Sequence, residues 1–236
     1  MSRPSRRQPA KTTRRRMYGV GSIDNDTYMV TADGGGTPGV DTGFYFGLLN
    51  YPRRSENGTS WFSRRVLNTS GYILRQLSGT TITFSCANNV GTFVNSPAWT
   101  VVINQVTGIL CVHDGSVLRL YVNRVEVGDG SGTAITGYTP SAVALGLGGA
   151  GGTTPQYDFY GAVSGHGVPD LAAVQGWFDA CKGARACRAV PGLTPSNLWN
   201  ARTTLAGPLD SAGSSNLSLG GSGHVLVAER SPVWGW

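Results

Sequence analysis

The chain has 236 residues, enough for one large domain with appendages. Its 35 glycines and 12 prolines, with abundant Ser and Thr, favour many short strands and tight turns over a helical protein. No apolar run approaches the roughly 18 residues of a membrane-spanning helix, and neither a Sec leader nor a twin-arginine export signal is read at the N-terminus.

The formal charge of +6 is local. Arg3, Arg6, Arg7, Lys11, Arg14, Arg15 and Arg16 stand in the first sixteen residues without an acid, and removing these seven cations leaves the rest at −1. Residues 1–17 have almost nothing to bury, so they cannot offset their own ordering entropy. They read as an arm for an acidic protein groove or for phosphates, where binding would fall steeply with salt, set against the plainer reading of a solvated tail. On the body only Arg53-Arg54 and Arg64-Arg65 continue that basicity.

Residues 28–32 form a short strand, followed by a loop through Gly34-Gly35-Gly36 and Pro38-Gly39. Residues 43–49 are apolar on both faces, the pattern of a central strand covered on two sides. Strands follow at 61–67, 71–77 and 80–86, with turns such as Glu56-Asn57-Gly58-Thr59 between strand runs, and a spacing of about ten residues implies a sandwich or barrel. A meander is predicted next, with strands at 100–106, 109–112, 117–122 and 125–127. Its third strand alternates Leu118, Leu120 and Val122 with Arg119, Tyr121 and Asn123, one buried face and one wet. His113-Asp114-Gly115 precedes it as a tight turn, because Asp-Gly accepts positive φ, and Asn123-Arg124 begins a second reversal.

The run Cys-Val-His-Asp-Gly-Ser-Val-Leu-Arg-Leu-Tyr-Val-Asn-Arg, residues 111–124, resembles the central hairpin of laminin G-like, concanavalin A-like jelly rolls, in which "DGs-x-lrLYvNG" recurs. Residues 140–149 resemble that family's "plriGg" strand, Phe159-Tyr160-Gly161-Ala162-Val163 its "f-x-G-x-i" strand, and residues 168–178 its closing helix. The resemblance spans residues 25–183, more loosely over 43–86. It implies an all-β antiparallel sandwich with one closing helix. Arg124 stands where the family has glycine, and in the left-handed region it would cost about 1 kcal/mol, so either the turn differs or the arginine is useful. The expected organisation is a basic arm at 1–17, the sandwich at 18–183 and a C-terminal extension at 184–236.

Gly146-Leu147-Gly148-Gly149-Ala150-Gly151 fits G-x-G-x-x-G after an expected strand at 142–145, but Gly152-Thr153-Thr154-Pro155 opens no helix to meet a pyrophosphate, so it reads as a sheet-end loop. One helix is predicted at 169–182, with Pro169 in its first turn, Leu171, Val174, Phe178 and Cys181 on one face, and Gly183 ending it. Trp177 and Phe178 are read as structural. The apolar pieces after 184 are too short to bury a core alone and are expected to wrap the sandwich or a neighbouring subunit. The terminal tryptophans favour a docked tail, because exposing them to water is costly. Cys86, Cys111, Cys181 and Cys187 show no metal spacing and are expected as buried free thiols, with a Cys181–Cys187 bridge left open.

The Glu-x-Asp-x-x-Glu strand of jelly-roll glucanases is absent, since Glu56, Glu126 and Glu229 are isolated. His113, His166 and His224 stand at no spacing from a nucleophile or metal partner, and Ser164-Gly165-His166 lacks a nucleophile elbow. No enzyme and no cofactor is expected. Some laminin G-like domains hold calcium at the sandwich rim, which would fall to Asp41, Asp129 and Asp158, but loop aspartates are more often turn formers. The reading put first is a phage structural protein, a capsid decoration or tail component assembled in the host cytoplasm into the virion, laced to other virion subunits or copies of itself by arm and tail. A carbohydrate-binding module for a cell-surface glycan, using Trp61, Tyr157, Trp234 and Trp236 as an aromatic platform, comes second. An arm-driven nucleic-acid binder is third, and no membrane partner is expected.

Overall fold

The computed structural model describes residues 17–22, 28–31, 43–54, 58–66, 69–78, 80–141, 143, 145–147, 157–201, 209–213, 216–220, 224–229 and 232–236. The seven cations of the arm and Asp41 therefore lie outside the described residues. In chain order the strands are β1 (Met17–Ser22), β2 (Tyr28–Thr31), β3 (Phe44–Pro52), β4 (Ser60–Val66), β5 (Ser70–Ser78), β6 (Thr81–Ala87), β7 (Phe93–Asn95), β8 (Trp99–Thr100) and β9 (Thr107–His113). They continue as β10 (Val117–Val122), β11 (Val125–Glu126), β12 (Thr133–Ala134), β13 (Gly146–Leu147), β14 (Tyr157–His166), β15 (Pro195–Asn200), β16 (Leu209–Asp210), β17 (Leu217–Gly220) and β18 (His224–Glu229). One helix, α1 (Leu171–Ala184), follows β14.

The strands form two antiparallel sheets. The first runs β11-β10-β9-β3-β14-β1-β18, with β12 on β10 and the β15–β16 pair on the remaining length of β14. The second runs β17-β2-β13-β4-β5-β6-β7, with β8 on β6. Between them lies the larger core, where Phe44, Phe46 and Leu48 of β3 meet Phe62, Tyr72, Leu74 and Phe84 of the second sheet. The residues after 183, read from sequence as an extension, contribute strands to both sheets: β15 pairs with β14, β17 with β2 and β18 with β1.

The double apolar pattern of β3 has the expected cause. Its other face, Tyr45 and Leu49, joins Val163, Val174, Trp177 and Phe178 in a second core under α1. The helix approaches closely because the sheet lacks side chains beneath it: a Cβ on Gly47 would lie 2.7 Å from the Trp177 ring and 2.8 Å from Val163, and one on Gly108 would lie 2.7 Å from Phe178. Asp170 caps the helix, its Oδ1 accepting from Ala173 N at 2.7 Å. The helix ends at Arg185 in the left-handed region (φ 53) and not at Gly183, and Leu171, expected on the buried face, is 56% exposed. All four cysteines are buried free thiols.

Two strand expectations are corrected. Of the predicted 100–106 run only Thr100 lies in a strand, β8 on β6 of the second sheet, and Val106 forms a single bridge to Trp234. The chain then crosses to the first sheet, held by Val101 N on Thr80 O and Asn104 N on Pro52 O, with Val102 and Ile103 exposed. An alternating apolar pattern cannot distinguish such a crossover from a strand. The strand expected at 142–145 is instead Gly146–Leu147, lodged between β2 and β4, and the glycine-rich residues after it lie outside the described residues.

Gly47→Val is expected to destabilise the fold by about 2 kcal/mol or more by overpacking under Trp177. Gly183→Ala, where a Cβ meets nothing within 4 Å, should instead stabilise by up to about 1 kcal/mol from helix propensity. Urea unfolding of the two variants checks both signs.

Candidate functional site

The β9–β10 connection turns on Gly115 (φ 98) and Ser116, a two-residue loop closed by Asp114 N on Val117 O at 3.1 Å. Asp114 Oδ1 accepts from Ser116 N (2.9 Å), Ser116 Oγ (3.1 Å) and Val117 N (2.6 Å). Burial alone would push the Asp114 carboxyl up, but these hydrogen bonds and the nearby Arg119 charge outweigh it and hold the group below its ordinary 3.8.

The β10–β11 connection places two consecutive residues, Asn123 (φ 51) and Arg124 (φ 76), in the left-handed region, with Val122 paired to Val125. Asn123 tolerates this conformation, and both its main-chain N–H and its Oδ1 engage Gly108 at 3.0 Å. Arg124 does not tolerate it well, yet its Nη1 reaches Asp179 Oδ1 on α1 at 3.2 Å, so the departure from glycine ties the turn to the helix.

Between this hairpin and the 99–105 crossover the open edge of the sandwich holds a groove of about 440 Å³. Trp99, Val102 and Gln105 of the crossover, Asn123 and Glu126 of the hairpin and Gly235 of the tail line it. Gly235 is pressed against both amides: a Cβ there would lie 2.3 Å from Asn123 Nδ2 and 2.9 Å from Gln105 Nε2. Glu126 Oε1 accepts from Arg119 Nη1 at 2.7 Å, and burial together with the Glu126 charge pushes Tyr121 up to about 12. A half-buried indole beside amides and a fixed carboxylate suits a polyhydroxylated ligand with one apolar face.

The expected aromatic platform is not assembled. Trp61 and Tyr157 are 1% and 4% exposed, their rings 5.7 Å apart in the core and the Tyr157 hydroxyl donating to Trp61 O at 2.8 Å, so neither presents a face to a sugar. The bulge between Ser60 and Phe62 turns Trp61 inward with its neighbour, which strand alternation could not foresee. Trp234 and Trp236 dock on their own chain. Trp234 bridges Val106, Trp236 packs on Phe178 at 5.6 Å, and Lys182 donates to the Trp236 main-chain oxygen with its ammonium 5.8 Å from the ring centroid. Of the calcium candidates, Asp158 is buried in a two-point pair with Arg53 (2.8 and 2.6 Å) and Asp129 accepts from Ser131 N and Oγ. Among the described residues no cluster of three metal-ligating side chains forms. Asn123 was legible as a turn residue, but nothing in the sequence joined it to Trp99 and Gln105, because the groove brings a crossover against a hairpin turn.

No protein-family profile matches the chain, and no curated protein sequence does. Solved structures do. A protein of Bacteroides ovatus assigned to carbohydrate binding superposes with a TM-score of 0.64 at 11% identity over 92% of this chain and 61% of that one. This chain thus spans about three fifths of that protein's length. A heptameric SAP-like pentraxin from Limulus polyphemus gives 0.50 at 13% identity over 87% of this chain and 95% of that one. Together with the two antiparallel sheets these similarities define a concanavalin A-like all-β sandwich, as the 111–124 hairpin implied.

Asp114→Ala is expected to cost about 1 kcal/mol at neutral pH. Because the folded carboxyl titrates below 3.8, its contribution is complete above that pH and is lost as pH falls through the folded value, so the gap between variant and parent should narrow on acidification. Urea midpoints across the acid range measure it.

Proposed function

We propose that this chain is a carbohydrate-binding module that holds a saccharide at the open edge of the sandwich. The observation that carries the reading is the groove itself, where the Trp99 indole can stack on the apolar face of a sugar ring while Gln105 and Asn123 meet hydroxyls. The Bacteroides ovatus protein of the same fold, assigned to carbohydrate binding, supports it. Binding without hydrolysis is part of this reading: glycoside hydrolysis works with two carboxylates across the scissile bond, whereas among the described residues Glu126 is the one acid lining the groove and is held by Arg119.

The arm's seven cations within sixteen residues favour a second reading, in which the chain is a virion subunit displaying the sandwich outward. The tail no longer contributes to it, because Trp234 and Trp236 are committed to Val106 and Phe178 of the same chain. Deleting residues 1–16 would abolish particle incorporation on that reading and leave saccharide binding untouched on the first.

A glycan array followed by calorimetry tests the module. Trp99→Ala and Gln105→Ala should each weaken the retained saccharide by about tenfold with unchanged near-UV circular dichroism. An array on which no glycan is retained at millimolar concentration would remove the proposal.

A further inference from the structure

The second sheet carries an unusual outer face. On β4 to β6, Phe62, Tyr72, Leu74 and Phe84 point into the core, so Ser63, Arg65, Ile73, Arg75, Thr83 and Ser85 point away from it. The register aligns Ser63, Ile73, Ser85 and Asn95 in one row across four strands, with Arg75 opposite Thr83 in the next row and Arg65 opposite Gly71 on the other side. Ile73, Thr83 and Ser85 are at most 2% exposed, so this is a sheltered polar floor with two half-buried guanidiniums beside it.

Four other arginines on the body have clear employment. Arg53 pairs with Asp158, Arg119 with Glu126, Arg124 with Asp179, and Arg64 Nε donates to Val143 O. Arg65 and Arg75 have no carboxylate among the described residues. Arg65 lies 5.9 Å from the centroid of the Phe93 ring, and Arg75 Nη2 makes a 3.4 Å hydrogen bond to Asn95 Oδ1, an oxygen already taken by Ser85 Oγ at 2.6 Å. Arg75 Nε and Thr83 Oγ1 are both buried without a hydrogen-bond partner, on directly paired residues. Two buried donors without an acceptor each cost the desolvation of a polar group. Burial lowers both guanidinium pKa values, and the nearby charge of Arg75 lowers that of Arg65 further.

We propose that this face is an anion site for an acidic saccharide, whose carboxylate or sulfate seats between Arg65 and Arg75 and takes the free donors of Arg75 Nε and Thr83 Oγ1. The anion supplies the missing counter-charge and both missing acceptors at once, and guanidinium is the side chain best shaped for a planar carboxylate or a sulfate. Phe93 flanks the site as an apolar surface for the ring that bears the acid. This rests on the saccharide reading but shares no lining residue with the Trp99 groove, so one chain would grip a neutral and an acidic part of a glycan separately.

The test titrates the full chain, labelled with ¹⁵N, with digalacturonate, with a sulfated disaccharide and with neutral galactobiose, following the Arg75 and Arg65 Nε–H resonances. Digalacturonate or the sulfated disaccharide should shift them saturably while galactobiose leaves them in place, and whichever shifts them identifies the acid. Arg65→Gln and Arg75→Gln should each weaken that binding by about tenfold, and Thr83→Val by less, while Trp99→Ala leaves it intact. Resonances unmoved by both acidic sugars would overturn the proposal without touching the groove. So would acidic-sugar binding that survives both arginine variants, or inorganic sulfate binding as tightly as the sugars.

Discussion

The contact on which the rest of the structure depends is the seat of α1 on the bare backbone of the first sheet. Trp177 and Phe178 lie where Gly47 and Gly108 offer no side chain, which lets two large aromatics reach the sheet and covers its second face. From that seat the order propagates. Phe178 holds Trp236 at 5.6 Å, Trp236 holds Trp234 at 4.9 Å, and the segment so fixed runs beside Val106 through Val106 N on Val233 O and Gly235 N on Val106 O. Gly235 thereby becomes part of the edge groove, so a packing contact on the outer face of the sheet shapes a groove at its margin.

Charge is used sparingly in the body, and mostly to tether. Arg124 joins the β10–β11 turn to Asp179 of α1 across exposed surface, an interaction whose energy is small but whose position resists fraying of the turn. Asp158 is different: its carboxylate is 1% exposed and is met by two parallel guanidinium hydrogen bonds from Arg53, a geometry that offsets much of the cost of burying the charge. Arg119 reaches Glu126 and the Gly130 carbonyl, bracing one wall of the groove. Arg65 and Arg75, which have no carboxylate partner among the described residues, stand out against this background.

The groove and the arginine face differ in kind. The first is open, mixed in polarity and bounded by a turn and a crossover, which are braced by Asn123 on Gly108 and by Gly235 on two amides. The second is a flat floor whose residues are spaced by the strands themselves, so its geometry is set by register, which a buried inner face enforces. A glycan held at both would gain from effective concentration without either site being strong alone.

The sequence by itself determined the sandwich and most of its strands. Period-2 alternation placed Leu118, Leu120 and Val122 inward, double apolarity marked β3 as central, and the helix was legible from Val174, Phe178 and Cys181, with Leu171 wrongly counted on the same face, because burial of one face writes a local pattern into the chain. Local patterns carry no information about which distant segments meet. Only the tertiary structure decided that the residues after 183 join both sheets, that 101–106 crosses between sheets, and that a bulge beside Phe62 turns Trp61 into the core. The same reason hid both candidate sites: Trp99 meets Asn123 and Arg75 meets Asn95 through strand pairing and loop closure, contacts between residues some twenty positions apart that no composition or spacing rule records.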